Sequence, residues 1–240
     1  MNYKAKFINI FDLLSKLIRY NLKIIFANKF IYMLFSAMAI FLLVTAIMLF
    51  DSDVNPNEGS VYYLLLVPGL LLIFYPTAFG IQNDVDSRMI EILFGIPNYR
   101  YKIWLVRVVI IYIGVFFILL LLSILSSIAL TTIPIFSMVV QLMFPIFFLG
   151  SLAFLFSTLI RNGYGTAVVI IVIGLGFWIA GGILSETKWN IFLNPFDVPS
   201  DVNEVIWREI TTNNRIILFV GTVVAVLWGL LNLQKREKFV

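Results

Sequence analysis

Long apolar runs constrain this chain more than any other feature of its sequence. Each run is long enough for a helix to cross the roughly 30 Å of hydrocarbon in a bilayer. The runs lie at about 30–50, 61–82, 103–130, 133–160, 166–184 and 215–233. A soluble domain of 240 residues with 61% hydrophobic and 12% charged residues would lack polar surface. We therefore predict an all-α membrane protein with six transmembrane helices, in which residues 1–240 form a single transmembrane domain.

The distribution of basic residues predicts how these helices are oriented. Six spans place both termini on the same side of the membrane. That side carries fourteen of the Lys and Arg residues, whereas the opposite side carries three, which are Lys188, Arg208 and Arg215. Segments rich in Lys and Arg remain in the cytoplasm. We therefore expect a multi-pass protein of the cell membrane with both termini in the cytoplasm.

The N-terminal segment 1–29 has the pattern of a helix that lies on the membrane surface. Its apolar side chains recur at three-to-four spacing, and polar and basic residues fall on the opposite face. The apolar stripe consists of Phe7, Phe11, Leu14 and Ile18. The alternative is an ordinary positively charged flank, but the periodicity persists over three turns and favours the interfacial helix.

The polar segment 185–214 before the last span contains two short amphipathic stretches, Trp189–Phe196 and Val202–Ile210. Asp201, followed three residues later by Glu204, resembles a capping box at the start of the second stretch. We predict two short helices that dip into the outer leaflet or cover the protein. The alternative, a solvated loop, is disfavoured by the apolar content of the segment.

The sequence also excludes several kinds of chemistry. It contains no Cys and no His, which rules out disulfides, Cys/His metal sites and His-based catalysis. No phosphate-binding Gly-x-x-x-x-Gly-Lys motif is present, and the span interiors lack Asp, Glu and Lys. Arg107 lies about one turn into the third span, where it can extend to the cytoplasmic surface. We therefore expect neither an enzyme nor an ion-driven transporter.

Two features inside the spans allow more than one interpretation. Gln141, near the middle of the fourth span, either lines a substrate path or forms a hydrogen bond with a neighbouring helix, and the second is the more common role. The fifth span has a stripe of small residues that suits close helix packing, within the chain or across a dimer. The stripe consists of Gly174, Gly176, Ala180, Gly181 and Gly182.

Residues 83–102, between the second and third spans, form the most distinctive loop on the predicted cytoplasmic side. Asp84 and Asp86 suit the start of a helix, and Gly95 and Pro97 suit its end. One face of this short helix carries Met89, Ile92 and Leu93. Such an element either presses into a groove of a soluble partner or lies on the membrane without one. The residues alone leave both interpretations open.

This loop resembles the coupling region of the ABC-2 family of ABC-transporter permeases. The matching positions are two acids, a Glu, an apolar run, a Pro and two basic residues, here Asp84, Asp86, Glu91, Ile92-Leu93-Phe94, Pro97, Arg100 and Arg107. The chain departs from the family pattern at Val85, where the family has a basic residue, and at Arg88-Met89, where it has Gly-Thr. The six spans, the N-terminal amphipathic segment and the long last outer loop are similar to the same family.

The resemblance implies a permease of an ATP-driven exporter. Two copies, or one copy and a sister permease, would assemble in the lipid membrane with two ATPase subunits that bind ATP and Mg. This chain itself would hold no cofactor and bind no nucleic acid. The residues expected to contact the ATPase are Asp84, Asp86, Arg88, Met89, Glu91, Ile92, Leu93, Pro97 and Arg100. The apolar spans favour an amphipathic or hydrophobic substrate such as a peptide. The alternative is a membrane immunity or scaffold protein that transports nothing.

Overall fold

The fold is a bundle of long helices. It is known from a computed structural model that describes residues 29–51, 55–86 and 100–233, with the backbone alone for Lys29 and residues 100–102. These described residues contain no β-strand. The helices are α1 (Lys29–Phe50), α2 (Glu58–Ala78), α3 (Gly80–Asp86), α4 (Val106–Ala129), α5 (Ile135–Ile160), α6 (Gly163–Leu184) and α7 (Glu204–Asn232), and a π-helical turn (Arg100–Leu105) precedes α4. The predicted interfacial helix and most of the predicted coupling helix lie outside the described residues.

The prediction of six membrane-spanning helices is confirmed by length and composition. Six helices of 21 to 29 residues are apolar enough to cross a membrane, with α2 and α3 counted as one span. At 1.5 Å per residue, each of them reaches across the hydrocarbon layer. We call the end of the bundle where α1 begins and α7 ends the terminal face. The opposite end, which includes residues 130–134 and 185–203, is called the loop face.

The second span extends further than the sequence predicted. Pro68 and Pro76 both lie inside α2, and the helix is interrupted at Phe79 before α3 begins. Proline in a membrane helix removes a backbone hydrogen bond, which nearby polar side chains can compensate. Next to Pro76, the hydroxyl of Thr77 donates at 2.7 Å to the carbonyl of Ile73, which is adjacent to the Leu72 carbonyl that Pro76 leaves without an N–H donor. Because the helical backbone resumes after Phe79, the span extends at least to Asp86, beyond the predicted end at residue 82.

Helix α5 is the centre of the bundle and contacts α2, α4, α6 and α7. Leu142 and Ile146 of α5 are fully buried in the apolar core, as are Leu65 of α2 and Leu119 of α4. Close approach of α2 and α5 depends on Gly150, because a methyl group there would lie 2.6 Å from the Ile73 side chain. The helices α2, α4, α5 and α7 therefore form the core of the structure.

The loop face corrects the prediction of two short helices. Residues 189–196 form consecutive turns, because the side-chain oxygens of Asn190 and Asn194 accept hydrogen bonds from the backbone two residues later. The second predicted helix is the beginning of α7, which continues without a break to Asn232. Its N-cap is Asn203 and not Asp201, since the Asn203 side chain accepts from the backbone of Val205 at 2.9 Å.

The segment 185–203 packs over the loop face of the bundle. Its central residues Ile191, Phe192 and Leu193 are buried, and the first two belong to the main apolar core. Trp189 is exposed, whereas Trp207 is buried and donates its indole N–H to the carbonyl of Pro195 at 3.4 Å. Of the two placements that the sequence left open, the covering one is the observed one.

Candidate functional site

A buried ion pair joins the second and third spans at the terminal face. The Nη1 atom of Arg107 in α4 lies 2.7 Å from the Oδ2 atom of Asp84 in α3, and each side chain is only 5% exposed. The guanidinium also lies 4.6 Å above the ring of Trp104, which is buried beside it. A cation in such a place is stabilised by both the carboxylate and the aromatic face.

This arrangement corrects two expectations from the sequence. Arg107 does not extend to the surface, because Asp84 supplies a buried partner 23 positions earlier in the chain. Asp84 and Asp86 do not begin a new helix, because both lie within α3, which starts at Gly80. Asp86 is exposed, and its carboxylate accepts a hydrogen bond from the Gln82 side chain at 3.4 Å.

Further hydrogen bonds hold the terminal face together. The Gln82 side-chain oxygen accepts from the backbone N–H of Gly163 at 2.5 Å, which connects α3 to the start of α6. Asn232, at the end of α7, donates to the carbonyl of Thr158 in α5 at 2.8 Å. The helix α3 is thereby held by α4 on one side and by α6 on the other.

The ion pair lies at the base of the predicted coupling segment. The described part of the second span reaches Asp86, and the described backbone resumes at Arg100 with the π-helical turn. Single π-helical turns inside helices often occur at functional sites. The remaining predicted coupling residues, Arg88, Met89, Glu91, Ile92, Leu93 and Pro97, lie outside the described residues. The two spans on either side of this segment in the sequence are joined by the Asp84–Arg107 pair.

A second polar cluster is centred on Arg215 in α7, near the loop face. Arg215 is buried, and its Nε atom donates to the Gln141 side-chain oxygen of α5 at 2.7 Å. Its other nitrogens donate to the side-chain oxygen of Asn214 at 2.8 Å, the carbonyl of Leu193 at 3.1 Å and the hydroxyl of Tyr62 at 3.4 Å. One guanidinium therefore joins α2, α5, α7 and the covering segment.

The sequence prediction placed Arg215 at the outer end of the sixth span, next to the loop 185–214, and missed this cluster. The misplaced boundary came from polar residues 211–214, which look like loop in the sequence but lie within α7. Asn214 is buried, and its amide donates to the carbonyls of Lys188 and Asn190 at 2.9 and 2.8 Å. The structural interpretation of Gln141 is confirmed, since it accepts a bond from a neighbouring helix. Its role in a substrate path stays a prediction.

The bundle also has an apolar groove of about 590 Å³ between α4, α5 and α7. Aromatic rings dominate its lining, and the side chain of Tyr112 stacks on Phe147 with ring centroids 4.1 Å apart. The Tyr112 hydroxyl donates to the carbonyl of Phe147 at 3.1 Å, so its one polar group is already bonded. An apolar chain can therefore occupy the groove while the Tyr112 hydroxyl keeps its hydrogen bond.

Among the residues that the structure describes, no group of three or more acidic side chains is placed to hold a metal ion. Comparison of the chain with protein-family models, with curated protein sequences and with solved structures finds no match.

Proposed function

We propose that this chain is the permease subunit of an ATP-driven exporter of the ABC-2 type. The observation that carries the proposal is the buried Asp84–Arg107 pair at the base of the 87–99 segment. A segment that binds a moving partner can change the arrangement of membrane helices only if its two ends are firmly connected to them. The ion pair and the Gln82–Gly163 hydrogen bond provide that connection.

The energy source in this proposal is a pair of separate ATPase subunits that bind ATP and Mg. Closure of the ATPases moves the 87–99 segment, and the altered contacts favour one arrangement of the spans over another. Met89, Ile92 and Leu93 supply the apolar contacts, and Glu91 supplies a charge beside them. The excess of Lys and Arg at the terminal face supports a cytoplasmic location for this contact.

A second permease, identical or a sister chain, completes the proposed assembly. Helix α6 supports this part of the proposal. Only 6% of the residues in its most apolar 18-residue stretch are buried, against 61% in the corresponding stretch of α5. A methyl group added at Gly174, Gly176, Gly181 or Gly182 would meet no atom within 4 Å. The exposed surface of α6 is therefore available for a helix of another subunit, and its glycines would allow close approach.

The proposed substrate is amphipathic or hydrophobic, with a peptide as the favoured kind. Its support is the aromatic groove between α4, α5 and α7, which presents almost no polar surface. Transport assays in vesicles test this point directly. A strict preference for a small hydrophilic ion would contradict the proposed substrate class.

The central experiment changes the predicted contact face and measures assembly with the ATPase. The double substitution Ile92→Asp and Leu93→Asp places two charges where an apolar groove is expected to bind. We expect the ATPase to be lost from the complex purified in detergent, while the amount of inserted permease stays the same. Burying two unpaired carboxylates in an interface is strongly unfavourable.

A matched control carries the same added charge elsewhere on the predicted cytoplasmic side. Phe239→Asp with Val240→Asp introduces two carboxylates in the C-terminal tail, and this variant should retain the ATPase. If the 92/93 variant also assembles normally, the contact face is misassigned. If the unchanged chain never co-purifies with an ATPase, the non-transporting alternative, an immunity or scaffold protein, replaces the exporter.

A further inference from the structure

A cleft of about 390 Å³ opens at the loop face between α6, the beginning of α2 and the covering segment 185–203. Its volume is in the range of small-molecule sites. Aromatic side chains dominate the lining and come from α2, α6, the covering segment and the beginning of α7: Tyr63, Phe177, Trp178, Phe192 and Trp207. The lining also contains the carboxylate of Asp197 and no Lys or Arg. The cleft therefore combines aromatic faces with a single negative charge.

The aromatic rings are arranged around Trp178. Its ring centroid lies 6.4 Å from that of Tyr63 and 5.8 Å from that of Phe192, with interplanar angles of 76° and 64°. Trp178 is 55% exposed and Tyr63 is 38% exposed, whereas Phe192 and Trp207 are buried. Two electron-rich rings are thus accessible to a ligand, and two more lie behind them.

Four uncharged polar side chains of the lining already have backbone partners. The amide of Asn194 donates to the carbonyl of Gly59 at 3.0 Å, and the indole of Trp207 donates to Pro195. The side-chain oxygen of Asn190 accepts from the backbone of Phe192, and the hydroxyl of Ser185 donates within its own helix. A ligand with many hydrogen-bond donors would find few free acceptors among these groups.

The Asp197 carboxylate is different from these neutral groups. It is exposed, and within the described part of the chain no Lys or Arg nitrogen lies within 4 Å of it. A carboxylate beside aromatic faces attracts cations, and substituted ammonium groups are the ligands that aromatic cages recognise best. A guanidinium has five N–H donors that need acceptors, whereas a trimethylammonium group needs none.

We propose that this cleft binds an organic monocation through a substituted ammonium group, such as trimethylammonium. The ammonium group lies against Trp178 and Tyr63, and Asp197 balances its charge. This site does not depend on the exporter proposal, because no ATPase contact or transport step enters it. The cation comes either from a free molecule or from a lipid headgroup, since the cleft adjoins the exposed face of α6.

The test measures equilibrium binding of radiolabelled choline to the full-length protein in nanodiscs of phosphatidylglycerol. We expect saturable binding that unlabelled choline displaces. The neutral isostere 3,3-dimethylbutan-1-ol has carbon in place of the charged nitrogen and should not compete. Equal competition by the isostere would show that only shape and apolar contact matter, and the proposal would be overturned.

Two substitutions probe the charge and the aromatic face separately. Asp197→Asn and Trp178→Leu should each weaken choline binding by about threefold or more, and the double variant by about tenfold or more. Asp201→Asn and Trp189→Leu are matched controls, because both residues are exposed and neither lines the cleft. Thermal unfolding of every variant separates loss of the site from loss of the fold.

A second arm identifies the source of the cation. In nanodiscs that contain phosphatidylcholine, loss of choline binding assigns the site to a lipid headgroup, whereas unchanged binding assigns it to a free cation. Both results support the ammonium site. Unchanged choline binding by folded Asp197→Asn and Trp178→Leu variants, or no saturable binding in either membrane, would reduce the cleft to an ordinary group of interfacial aromatic residues.

Discussion

Removal of the Asp84 carboxylate is the most direct test of the Asp84–Arg107 ion pair at the terminal face. Asp84→Ala leaves the Arg107 guanidinium buried without the oxygen that now lies 2.7 Å away, in a place where both side chains are 5% exposed. Breaking a buried ion pair by removing one partner costs about 3–5 kcal/mol. Because the pair lies near the terminal face, where water is close, we expect a cost near the lower end, about 3 kcal/mol.

That cost is large enough to measure in detergent solution. A loss of about 3 kcal/mol changes the folding equilibrium by roughly 150-fold, since about 1.4 kcal/mol is a factor of ten. For a chain of this size it lowers the unfolding temperature by about 6–12 °C. Thermal unfolding of the purified protein, followed by intrinsic fluorescence, reads this shift. Trp104 is a convenient reporter because the guanidinium lies 4.6 Å from its ring centre.

A double-mutant cycle separates the ion pair from simple loss of packing. Arg107→Met removes the charge, and the double variant removes both charges together. We expect the double variant to be less destabilised than the sum of the two single variants by about 2 kcal/mol, as found for residues in direct contact. Asp86→Ala is the matched control, because this exposed acid lies in the same helix and should leave the unfolding temperature nearly unchanged. If the effects of the two single substitutions are additive, with a coupling energy below about 0.5 kcal/mol, the Asp84–Arg107 pair does not stabilise the structure as proposed.

Two further predictions concern the loop face and the helix contacts. Arg215→Met should lower the free energy of unfolding by about 2–4 kcal/mol, because it leaves several buried oxygens without donors. It should also speed tryptic cleavage at Lys188. Equal cleavage rates would exclude Arg215 as the residue that holds the covering segment. Gly229→Ala should lower the free energy of unfolding by about 1–3 kcal/mol, measured by thermal unfolding, since the new methyl group would lie 2.7 Å from the Phe154 ring. In the control Gly174→Ala, the new methyl group meets no atom within 4 Å, and the substitution should be tolerated. Equal effects of these two glycine substitutions would contradict the observed packing.

The number and type of the helices follow from local sequence. Only helices or closed barrels satisfy the backbone hydrogen bonds inside a membrane, and an unbroken apolar run of span length favours a helix. Five of the six spans were predicted to within about four residues at each end. The exception is α7, which starts at Glu204, because its polar residues 211–214 looked like loop. These side chains are compatible with a helix in the bundle because the covering segment and Gln141 provide their hydrogen-bond partners.

The candidate sites were less predictable than the spans. The sequence indicated that Asp84, Gln141 and Arg107 mattered, but it assigned Asp84 to a helix start and Arg107 to the membrane surface. It offered no signal for the aromatic cleft, since Tyr63, Trp178 and Asp197 belong to three separate elements. Each of these errors concerns which distant residue a side chain meets.

The local sequence is sufficient to predict a helical membrane protein with six spans. Helix formation and insertion depend on the length and apolarity of each run, and both are local properties. The pairing of polar groups inside the bundle, in contrast, follows from the packing of the helices. Asp84 meets Arg107 across 23 positions and Gln141 meets Arg215 across 74. The bundle decides these pairs because a buried charge or amide is stable only beside a partner, and helix packing alone determines which partner is within reach.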